Sequence, residues 1–568
     1  MKNWGLKPVP NISAELKALP LNQITRQLLA QRGFFTKDAV ERFFNSRYED
    51  LHAADKLSGI PEAVARISLA REKNQPVTIF GDYDADGITA TTLMLEALAA
   101  MGIEPSTYIP DRNSEGYGLN IKALKYIKKT YKTELLITVD CGISNFEEVE
   151  FARKLGMDAI ICDHHAIPEK VPQKSILINP KLPSQDYPFQ DLAGVGVAFK
   201  LASALWKKNL PEKTEQLKWF LDLVAIGTIA DCVPLRDENR LFAKFGLMVL
   251  QKTKRLGIQE IIKTSRLNIG ESNPPTAENI AYQIGPRLNA AGRMDHADLT
   301  LNLLTENNPV QARIAALELE KKNSERQKIT QQIYSEVKAS LLDEKKQSLI
   351  IRSGEHWPLG VVGVVAGKIS DEFNCPTFIL RKSKNLMEGS GRSIDNIDLF
   401  AEVEKLEEYL EKYGGHAQAM GIKIKPRQLP VFEKRLRKNI EKKYSAELDQ
   451  GRYFANIAID AAKIDWDLFS EIRKFEPFGE GNEEPIFFSD NLVVNEIRRV
   501  GSSQAHLKLA LYPEGSSGKV FSGIFFRGAS EANRELKIGD KIKAAYNLRT
   551  NEWNGNHKIE LNILAIGH

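Results

Sequence analysis

The pattern of hydrophobic positions changes character twice along the chain. Residues 1 to about 70 carry apolar side chains at helix-like spacing, interrupted by a turn at Gly33, which predicts a helical N-terminal segment. From about residue 76, short apolar runs at 76–80, 135–139 and 158–161 alternate with amphipathic stretches such as 89–101 and 145–155. Continuous apolar strands separated by helices are typical of a parallel sheet that is covered on both faces.

A long polar helix and two further regions follow. The helix is expected over about 310–342 and is typical of a connector between domains. A second strand–helix unit begins at 348–351 and runs to about 447. Beyond Gln450-Gly451, short alternating strands at 492–500, 506–512, 519–527 and 541–547, with a hairpin turn at Asn554-Gly555, predict a small β-barrel. The thin apolar stripe of the long helix consists of Ile314, Leu317, Ile329, Ile333 and Val337.

These patterns predict an α/β protein of five parts. They are a helical N-terminal segment (1–70), a parallel-sheet domain (71–305), a connecting helix (306–345), a smaller α/β domain (346–450) and a C-terminal β-barrel (451–568). A chain of 568 residues has room for several domains of roughly 150 residues. With 42% hydrophobic and 27% charged residues, wholesale disorder is excluded. The net charge of +4 also excludes a generally basic coat, so nucleic-acid binding would depend on local patches.

The sequence favours the cytoplasm. No apolar run is long enough to span a membrane, and the start of the chain lacks the apolar core of a signal peptide. The four cysteines form no Cys-x-x-Cys pattern and no disulfide framework.

Acidic side chains directly follow four apolar segments, which we expect to be strands. The carboxyl ends of strands in an open α/β sheet share one edge, where ligands bind. So many anions in one crevice repel each other unless cations lie among them, and carboxylates with imidazoles suit Mn²⁺ or Mg²⁺. Two ions sharing one carboxylate could activate a water molecule for in-line displacement at phosphorus. The residues are Asp82, Asp84 and Asp86, then Asp140, then Asp163 with His164 and His165, and finally Asp231.

Taken singly, members of this set are compatible with simpler roles. Any one acid could cap a helix or lie in a solvated loop. Asp82-x-Asp84-x-Asp86-Gly87 resembles the start of an EF-hand loop, but the twelfth position is Leu93 instead of Glu. Three cysteines beside the acids could indicate zinc, yet neighbours in an extended segment point to opposite sides, which favours small buried hydrophobes. They are Cys141, Cys162 and Cys232.

In order and spacing, these motifs resemble those of the DHH phosphoesterase superfamily. The matching stretches are Asp82-Tyr83-Asp84-Ala85-Asp86-Gly87, Val139-Asp140-Cys141-Gly142, Asp163-His164-His165 and Gly227-Thr228-Ile229-Ala230-Asp231. Within that superfamily, Gly285-Pro286-Arg287-Leu288-Asn289-Ala290-Ala291-Gly292-Arg293 resembles the RecJ single-strand exonucleases. Three stretches resemble the associated DHHA1 domain: 356–363, 389–393 and 414–417. Residues 476–482 resemble the start of that family's OB-fold, so the resemblance covers nearly the whole chain.

The resemblance implies roles for the acidic and histidine residues. Asp84 and Asp86 would hold one metal each, and Asp140 would bridge the two ions. His164 and Asp231 would complete the second metal site, and Asp82 would ligate the first ion or support it from outside. His165 would contact the scissile phosphate, oriented by Asp163. Some relatives carry a His four residues before the aspartate matching Asp84, where this chain has Phe80, so the first ion would be held more weakly or with the help of Asp82 and water.

Phosphate recognition calls for arginine forks, small hydroxyl donors and glycines that admit a phosphate. The resemblance places such residues near the 5′ end of a bound strand. The alternative is that the arginines pair with acids at a domain interface and that His416 is a loop histidine satisfied by backbone. Trp357 could stack on a base or lie in the core. The DNA-binding candidates are Arg112, Arg287, Asn289, Arg293, Ser390, Arg392 and His416, with Arg498, Arg499, Lys508, Phe526, Arg527, Tyr546 and Trp553 as weaker candidates on the β-barrel.

The implied function is a Mn²⁺- or Mg²⁺-dependent exonuclease with two metal ions. It would degrade single-stranded DNA from the 5′ end to 5′-mononucleotides in recombination and repair. A single-strand-binding protein and a RecQ-type helicase are expected partners by resemblance alone, and no obvious interface segment argues against a monomer. One rival is a phosphoesterase for short oligonucleotides or cyclic dinucleotides, which would not need the β-rich tail. The other is a non-catalytic scaffold, which would not need the complete set of acids.

Overall fold

The structure, a computed structural model, describes residues 4–112, 114–183, 186–342, 347–449, 453–501, 504–515, 518–531, 536–553 and 556–567. The chain divides into two units. One consists of Tyr48–Asp449 with Gly479–Gly481, and the other of Met1–Arg47, Gln450–Phe478 and Asn482–His568. The predicted division into five parts is finer than this and stays a prediction.

A parallel five-stranded sheet organises the first half of the larger unit. Its strands, in spatial order, are Ser106–Tyr108, Val77–Gly81, Leu135–Val139, Asp158–Cys162 and Ile176–Ile178. The second and third strands in this order are buried along their whole length, because helices cover both faces. The first strand along the chain lies between the second and the third, so the direction of the connections reverses here. Ligands bind in open α/β sheets at such a reversal, beyond the carboxyl ends of the strands.

Helices surround this sheet and extend beyond it. They are Ile60–Glu72, Ala85–Ala99, Ile121–Tyr131, Phe146–Lys154, Gly194–Asn209, Leu221–Ala230, Asp237–Leu250, Leu256–Thr264, Gly285–Met294 and Asp298–Thr305.

One of these helices corrects a prediction. The apolar run before Asp231 was expected to be a strand, but Leu221–Ala230 is a helix that is buried on nearly every side. A continuous apolar run has no period, so it does not distinguish a buried strand from a buried helix. Asp231 therefore stands at the end of a helix, whereas Asp82, Asp140 and Asp163 follow strands.

The second α/β layer is smaller. Its sheet has the spatial order Leu410–Gly415, Ala419–Ile424, Met387–Arg392, Thr377–Lys382 and Ile350–Gly354. Only the last two strands in this order are parallel to each other. The helices Leu359–Phe373, Leu399–Glu404 and Leu429–Asp449 accompany it.

A connecting helix, Pro309–Ala339, packs against both layers of the larger unit. Ile333 and Val337 are buried as predicted from its apolar stripe, but Ile314 is 53% and Leu317 49% exposed. In the first half of the helix the buried apolar positions are instead Ala312, Ala316 and Leu319. Small residues let this half approach its neighbours closely, which a prediction based on large apolar side chains misses.

The smaller unit combines the two ends of the chain. Backbone pairing joins strand Trp4–Leu6 in parallel to strand Tyr453–Ala455. The N-terminal helices Ala14–Ala18, Gln23–Gln31 and Lys37–Asn45 contribute Leu16, Leu28 and Phe43 to one hydrophobic core with the C-terminal strands. In sequence, the helix Trp466–Arg473 follows strand Tyr453–Ala455 and precedes strand Phe487–Val500.

The C-terminal strands of this unit form a closed ring. They are Phe487–Val500, His506–Pro513, Phe521–Phe525, Lys541–Trp553 and Asn556–Gly567, and pairing of the first with the fourth completes the closure. Tyr546, a weaker DNA-binding candidate, is fully buried and bonds to Ser489, so it belongs to the core. The predicted turn at Asn554-Gly555 and the side chain of Trp553 lie outside the described residues.

Candidate metal centre and phosphate-binding site

Two groups of ligand atoms meet at the carboxyl edge of the parallel sheet. Carboxylate oxygens of Asp82, Asp84 and Asp140 lie within 4.8 Å of one another. Ligand atoms of Asp86, His164 and Asp231 form a second group, again within 4.8 Å of one another. The sheet edge and one helix end therefore bring together all six residues that were expected to bind metal.

Asp140 belongs to the first group and also lies beside His164 of the second. His164 Nε2 is 3.1 Å from Asp140 Oδ1, 3.6 Å from Asp231 Oδ2 and 3.9 Å from Asp86 Oδ2. Asp140, His164 and His165 also form a group within 4.8 Å. The Asp140 carboxylate is thus close to both sets of ligand atoms.

The local backbone fixes the two neighbouring carboxylates in different ways. Asp84 caps the helix Ala85–Ala99 by accepting hydrogen bonds from the N–H groups of Asp86 and Gly87. Asp86 points to the start of the helix Gly194–Asn209 and accepts hydrogen bonds from the N–H groups of Gly194 (2.7 Å) and Val195 (2.9 Å). The positive end of that helix therefore stabilises a carboxylate beside the sheet edge.

Burial and mutual repulsion control the protonation of this cluster. Burial, followed by the charge of Asp84, raises the pKa of Asp86 to about 7. The same causes, burial and then neighbouring carboxylates, raise the pKa values of Asp82, Asp140 and Asp231 well above the ordinary range. Burial, followed by the charge of His165, lowers the pKa of His164 to about 3, so its imidazole is neutral.

The unpaired atoms of the cluster fit a cation. Asp82 Oδ1, Asp140 Oδ1 and His164 Nε2 are buried and have no hydrogen-bond partner among the described residues. Acceptors that face one another without donors are costly unless a cation lies between them. Oxygen ligands with a single imidazole suit Mn²⁺ or Mg²⁺, and Cys141 and Cys162, buried in apolar cores, supply no ligand here.

Asp163 organises the loop that carries both histidines. It is fully buried and accepts hydrogen bonds from the N–H groups of Ile143 (2.9 Å), His164 (2.7 Å) and His165 (3.1 Å). Its Oδ1 is also 2.7 Å from His165 Nδ1. Burial alone would raise the pKa of Asp163, but the hydrogen bond and charge of His165 and the charge of His164 lower it to about 2. Although burial opposes it, the contact with Asp163 in turn raises the pKa of His165.

Arginines gather beside the acidic cluster. The guanidinium of Arg112 lies 5.1 Å from the centre of the Tyr83 ring. Arg293 donates to the carbonyl of Gly360 (3.1 Å), and Arg392 donates to the carbonyl of Gly391 (2.9 Å). Burial, followed by the charges of Arg112 and Arg326, lowers the pKa of Arg293 to about 10, as expected for cations held close together.

Ser390 lies beside Arg392 at a place where the backbone is bare. A side chain at Gly363 would come within 3.1 Å of Arg392 Nη2 and 3.2 Å of Ser390 Oγ. The bare backbone at Gly363 therefore lets the helix Leu359–Phe373 approach both donors closely.

Arg287 and Asn289 are engaged within the protein. Arg287 Nε lies 2.5 Å from Glu320 Oε2 and its Nη1 donates to the carbonyl of Gln283, which is the pairing with an acid that the sequence left as an alternative. Asn289 Oδ1 accepts from the N–H of Ala85 (2.8 Å) and so supports the turn between Asp84 and Asp86.

His416 faces the histidine side of the cluster from the smaller α/β layer. Burial, then the nearby charges of His165 and Lys181, lower the pKa of His416. Trp357 is 6% exposed in a hydrophobic core, which identifies it as a core residue and not a surface for stacking.

Three family descriptions match consecutive parts of the chain. The DHH family, N-terminal domain, matches residues 76–228, the DHHA1 domain matches 346–442, and the RecJ OB domain matches 455–565. The single-stranded-DNA-specific exonuclease RecJ of Bacillus subtilis is 36% identical over 559 residues, which are 98% of this chain and 69% of that protein. RecJ of Escherichia coli is 30% identical over 571 residues, which are 97% of this chain and 96% of that protein.

The chain belongs to the RecJ family. Among solved structures, RecJ of Thermus thermophilus in complex with Mn²⁺ superposes with a TM-score of 0.82 at 25% identity, covering 100% of this chain and 79% of that one. The Mg²⁺ complex of the same protein gives a TM-score of 0.77 at 25% identity, with 99% and 78% covered. The α/β architecture predicted from the sequence is thereby confirmed.

Sequence reasoning missed several residues of this RecJ site. Tyr83 was noted only as part of a motif, and the side chains of Tyr117, Lys181 and Arg326 were not predicted to take part. Tyr117 stands between two glycines of positive φ, Gly116 and Gly118, and this glycine pair is a sequence signal of a tight loop. Lys181 and Arg326 carry no comparable signal, because only the fold places them near the cluster.

No helix within the described ranges is long and apolar enough to cross a membrane.

Proposed function

We propose that this chain hydrolyses single-stranded DNA from its 5′ end, releases 5′-mononucleotides, and uses two ions of Mn²⁺ or Mg²⁺. The observation that carries the proposal is the position of Asp140, whose carboxylate is within reach of both groups of ligand atoms. A shared carboxylate is the arrangement that a two-metal phosphodiester hydrolase requires.

We assign the metal-binding residues from these groups. Asp82, Asp84 and Asp140 would hold one ion, and Asp86, Asp140, His164 and Asp231 the other. When bound, the ions supply a water of lowered pKa and stabilise charge on the phosphate oxygens. The neutral His164 offers a lone pair, as a metal ligand must.

His165 is suited to hold the scissile phosphate. Its contact with Asp163 fixes the ring and favours the protonated form, which donates a charge-assisted hydrogen bond to an anionic oxygen. Asp163 is thus a positioning residue, and His165 is the group that would touch the substrate.

The arginine cluster supports the 5′ polarity. Arg112, Arg293, Arg392 and Ser390 gather beside the acids and would capture a terminal phosphate, while Lys181 and His416 lie near Asp231 and His165 and would follow the strand. Arg287 and Asn289 would act by holding the helix Gly285–Met294 in place. The OB domain would hold the strand further along by stacking and positive charge.

The cellular setting is also proposed. Action in DNA recombination and repair, in the cytoplasm and as a monomer, with single-strand-binding protein and a RecQ-type helicase as partners, rests on family membership. Selectivity for single strands would be steric, because the two α/β layers would admit one strand and exclude a duplex. The division of the chain into five domains is proposed on the same basis.

End-labelled DNA tests the proposal. Long single-stranded DNA labelled at the 5′ or the 3′ end would be digested with Mn²⁺, with Mg²⁺ and with chelator, beside a blunt duplex. Asp140→Asn would be compared with Asp158→Asn, which changes an exposed aspartate paired with Arg66 at the other end of the sheet. We expect early release of the 5′ label as mononucleotide, only with metal, and only from wild type and Asp158→Asn.

Two results would replace the proposal. Cleavage confined to short oligonucleotides or cyclic dinucleotides would indicate the small-substrate phosphoesterase. Binding of DNA without cleavage in any metal would indicate the non-catalytic scaffold.

A further inference from the structure

The loop between strand Ser106–Tyr108 and helix Ile121–Tyr131 is internally braced. Glu115 Oε1 accepts from the hydroxyl of Tyr108 (2.8 Å), and Glu115 Oε2 accepts from the N–H of Asp111 (2.9 Å). The N–H of Glu115 donates back to the carbonyl of Asp111 (2.8 Å). At its far end, the N–H of Leu119 donates to Asn145 Oδ1 (3.1 Å). The loop is therefore expected to transmit a displacement from one end to the other.

Tyr117 on this loop touches two functional groups with one hydroxyl. The hydroxyl donates to the main-chain carbonyl of Asp140 (3.1 Å). It also lies 3.1 Å from His165 Nδ1 and 3.3 Å from His165 Nε2, and the two rings are 5.4 Å apart. Because the two nitrogens are at nearly equal distance, the hydroxyl lies over the face of the imidazole, not in line with either nitrogen, and packs against the ring.

The contact with Asp140 is made where the backbone is strained. Asp140 has φ of +61°, in the left-handed region that residues with a Cβ seldom adopt, although aspartate adopts it more often than most. Its N–H donates to the carbonyl of Cys162 (2.9 Å), and Tyr117 binds its carbonyl from the other side. Tyr117 therefore helps to set the direction of the carboxylate that lies close to both ligand groups.

Arg112, at the other end of the loop, lies over the ring of Tyr83, the residue that follows Asp82. Arg293 is a neighbour of Arg112: burial, followed by the charges of Arg112 and Arg326, lowers the pKa of Arg293. An anion between these guanidinium groups would fix the position of Arg112 and, through Glu115, that of the loop.

We propose that Tyr117 is a positioning residue that couples capture of the terminal phosphate at Arg112 to the alignment of Asp140 and His165. The inference rests on the proposed function. It adds that a seated 5′-phosphate accelerates cleavage itself and does not only strengthen binding. This property would restrict cleavage to strands whose end is in place.

The test uses one single-stranded oligodeoxynucleotide with either a 5′-phosphate or a 5′-hydroxyl. The full-length chain, Tyr117→Phe, Arg112→Ala and the double variant would be compared by kcat and KM in Mn²⁺. For wild type we expect kcat to be about tenfold higher with the 5′-phosphate. In Tyr117→Phe that kcat should fall about tenfold, KM should change less than about threefold, and the two substrates should become equivalent.

The double variant measures the coupling directly. With the 5′-phosphate substrate, the kcat of the double variant should equal that of the less active of the two single variants, because each substitution breaks the same connection. Tyr413→Phe is the matched control, since it also removes a hydrogen-bonded tyrosine hydroxyl, here one that donates to the carboxylate of Glu407 (2.9 Å) on the surface of the smaller α/β layer. It should retain wild-type values for both substrates.

Several results would overturn the inference. They are wild-type kinetics in Tyr117→Phe, a rise in KM alone, which would indicate that the ring only contacts a base, or multiplicative effects in the double variant. Thermal unfolding and calorimetric Mn²⁺ titration of the chelator-stripped proteins supply readouts other than activity. Tyr117→Phe should melt within about two degrees of wild type and bind Mn²⁺ more weakly, whereas wild-type affinity would overturn the role assigned at Asp140. Absence of cleavage by wild type on either substrate would instead overturn the proposed function itself.

Discussion

Asp163→Asn is the sharpest test of how the histidine loop is built. The Asp163 carboxylate receives four N–H groups: the main-chain groups of Ile143, His164 and His165, and the ring Nδ1 of His165. An asparagine has one acceptor oxygen and places an NH₂ group where the second oxygen was. At least one donor, and two if the oxygen keeps only its best contacts, is then left buried without an acceptor.

The expected magnitude follows in two ways. A buried donor without a partner costs about 1–3 kcal/mol, so the free energy of unfolding should fall by about 2–4 kcal/mol. The same contacts lower the pKa of Asp163 from 3.8 to about 2, which corresponds to a contribution of the same order, roughly 2 kcal/mol. Because this folded-state pKa is depressed, the contribution is present above pH 3.8 and is lost as the pH falls toward 2. Since His165 also loses its orienting partner, kcat should fall about 10–100-fold.

Urea unfolding at pH 7 in chelator measures the first quantity and single-turnover cleavage the second. Asp158→Asn provides the matched control, because Asp158 begins the strand that Asp163 follows and its ion pair with Arg66 is solvent-exposed on the acidic side. An exposed pair contributes about 0–1 kcal/mol, so this variant should resemble wild type. Equal unfolding midpoints for the two variants would show that the four contacts to Asp163 do not hold the loop.

Three further predictions concern the metal-binding residues. Asp140→Ala should reduce cleavage at least about a thousandfold in either metal and lower the Mn²⁺ stoichiometry measured by calorimetry, since its carboxylate is close to both ligand groups. Burial, followed by the charge of Asp84, raises the pKa of Asp86 to about 7, so its stabilising contribution to the chelated protein is present below pH 4 and is lost as the pH rises through 7. An asparagine loses one of the two N–H contacts at Gly194 and Val195 at either pH, so the melting temperature of Asp86→Asn, taken relative to wild type at the same pH, should be higher at pH 8 than at pH 5. Gly194→Ala would place a Cβ 2.5 Å from Asp140 Oδ1 and should weaken Mn²⁺ binding, whereas Gly196→Ala, with no atom closer than 3.5 Å, should not.

Secondary structure could be predicted where the hydrophobic pattern of a segment and its length indicate the same type of element. Strands Val77–Gly81 and Leu135–Val139 are short, apolar and followed by acids, and the sequence alone indicates both the strands and the shared edge. Leu221–Ala230 satisfied the same criteria but is a helix, because burial on all sides removes the period that would reveal it. The acidic residue at its end still reaches the same edge, so the ligand set was predictable although the element was not.

Contacts between distant segments were beyond the sequence pattern. The pairing of Trp4–Leu6 with Tyr453–Ala455 joins residues more than four hundred positions apart, and nothing local in either strand specifies its partner. The salt bridge of Arg287 with Glu320 and the hydrogen bond of Asn289 with Ala85 depend in the same way on how helices pack. An arginine in a family motif could therefore be expected near the site, but whether its guanidinium faces a ligand or a glutamate depends on the fold.

The arrangement of charges in the site explains why opposite groups lie close together without neutralising each other. Asp84 is among the charges near Arg293, yet the Arg293 guanidinium donates its hydrogen bond to the carbonyl of Gly360. If the arginines paired with the carboxylates, the acids would not be available for cations and the arginines would not be available for a phosphate. Holding like charges together is costly, because burial and neighbouring carboxylates raise the pKa values of the acids, and burial and neighbouring arginines lower the pKa of Arg293. Under the proposed function, metal ions would offset the repulsion among the acids and a terminal phosphate would offset the repulsion among the arginines.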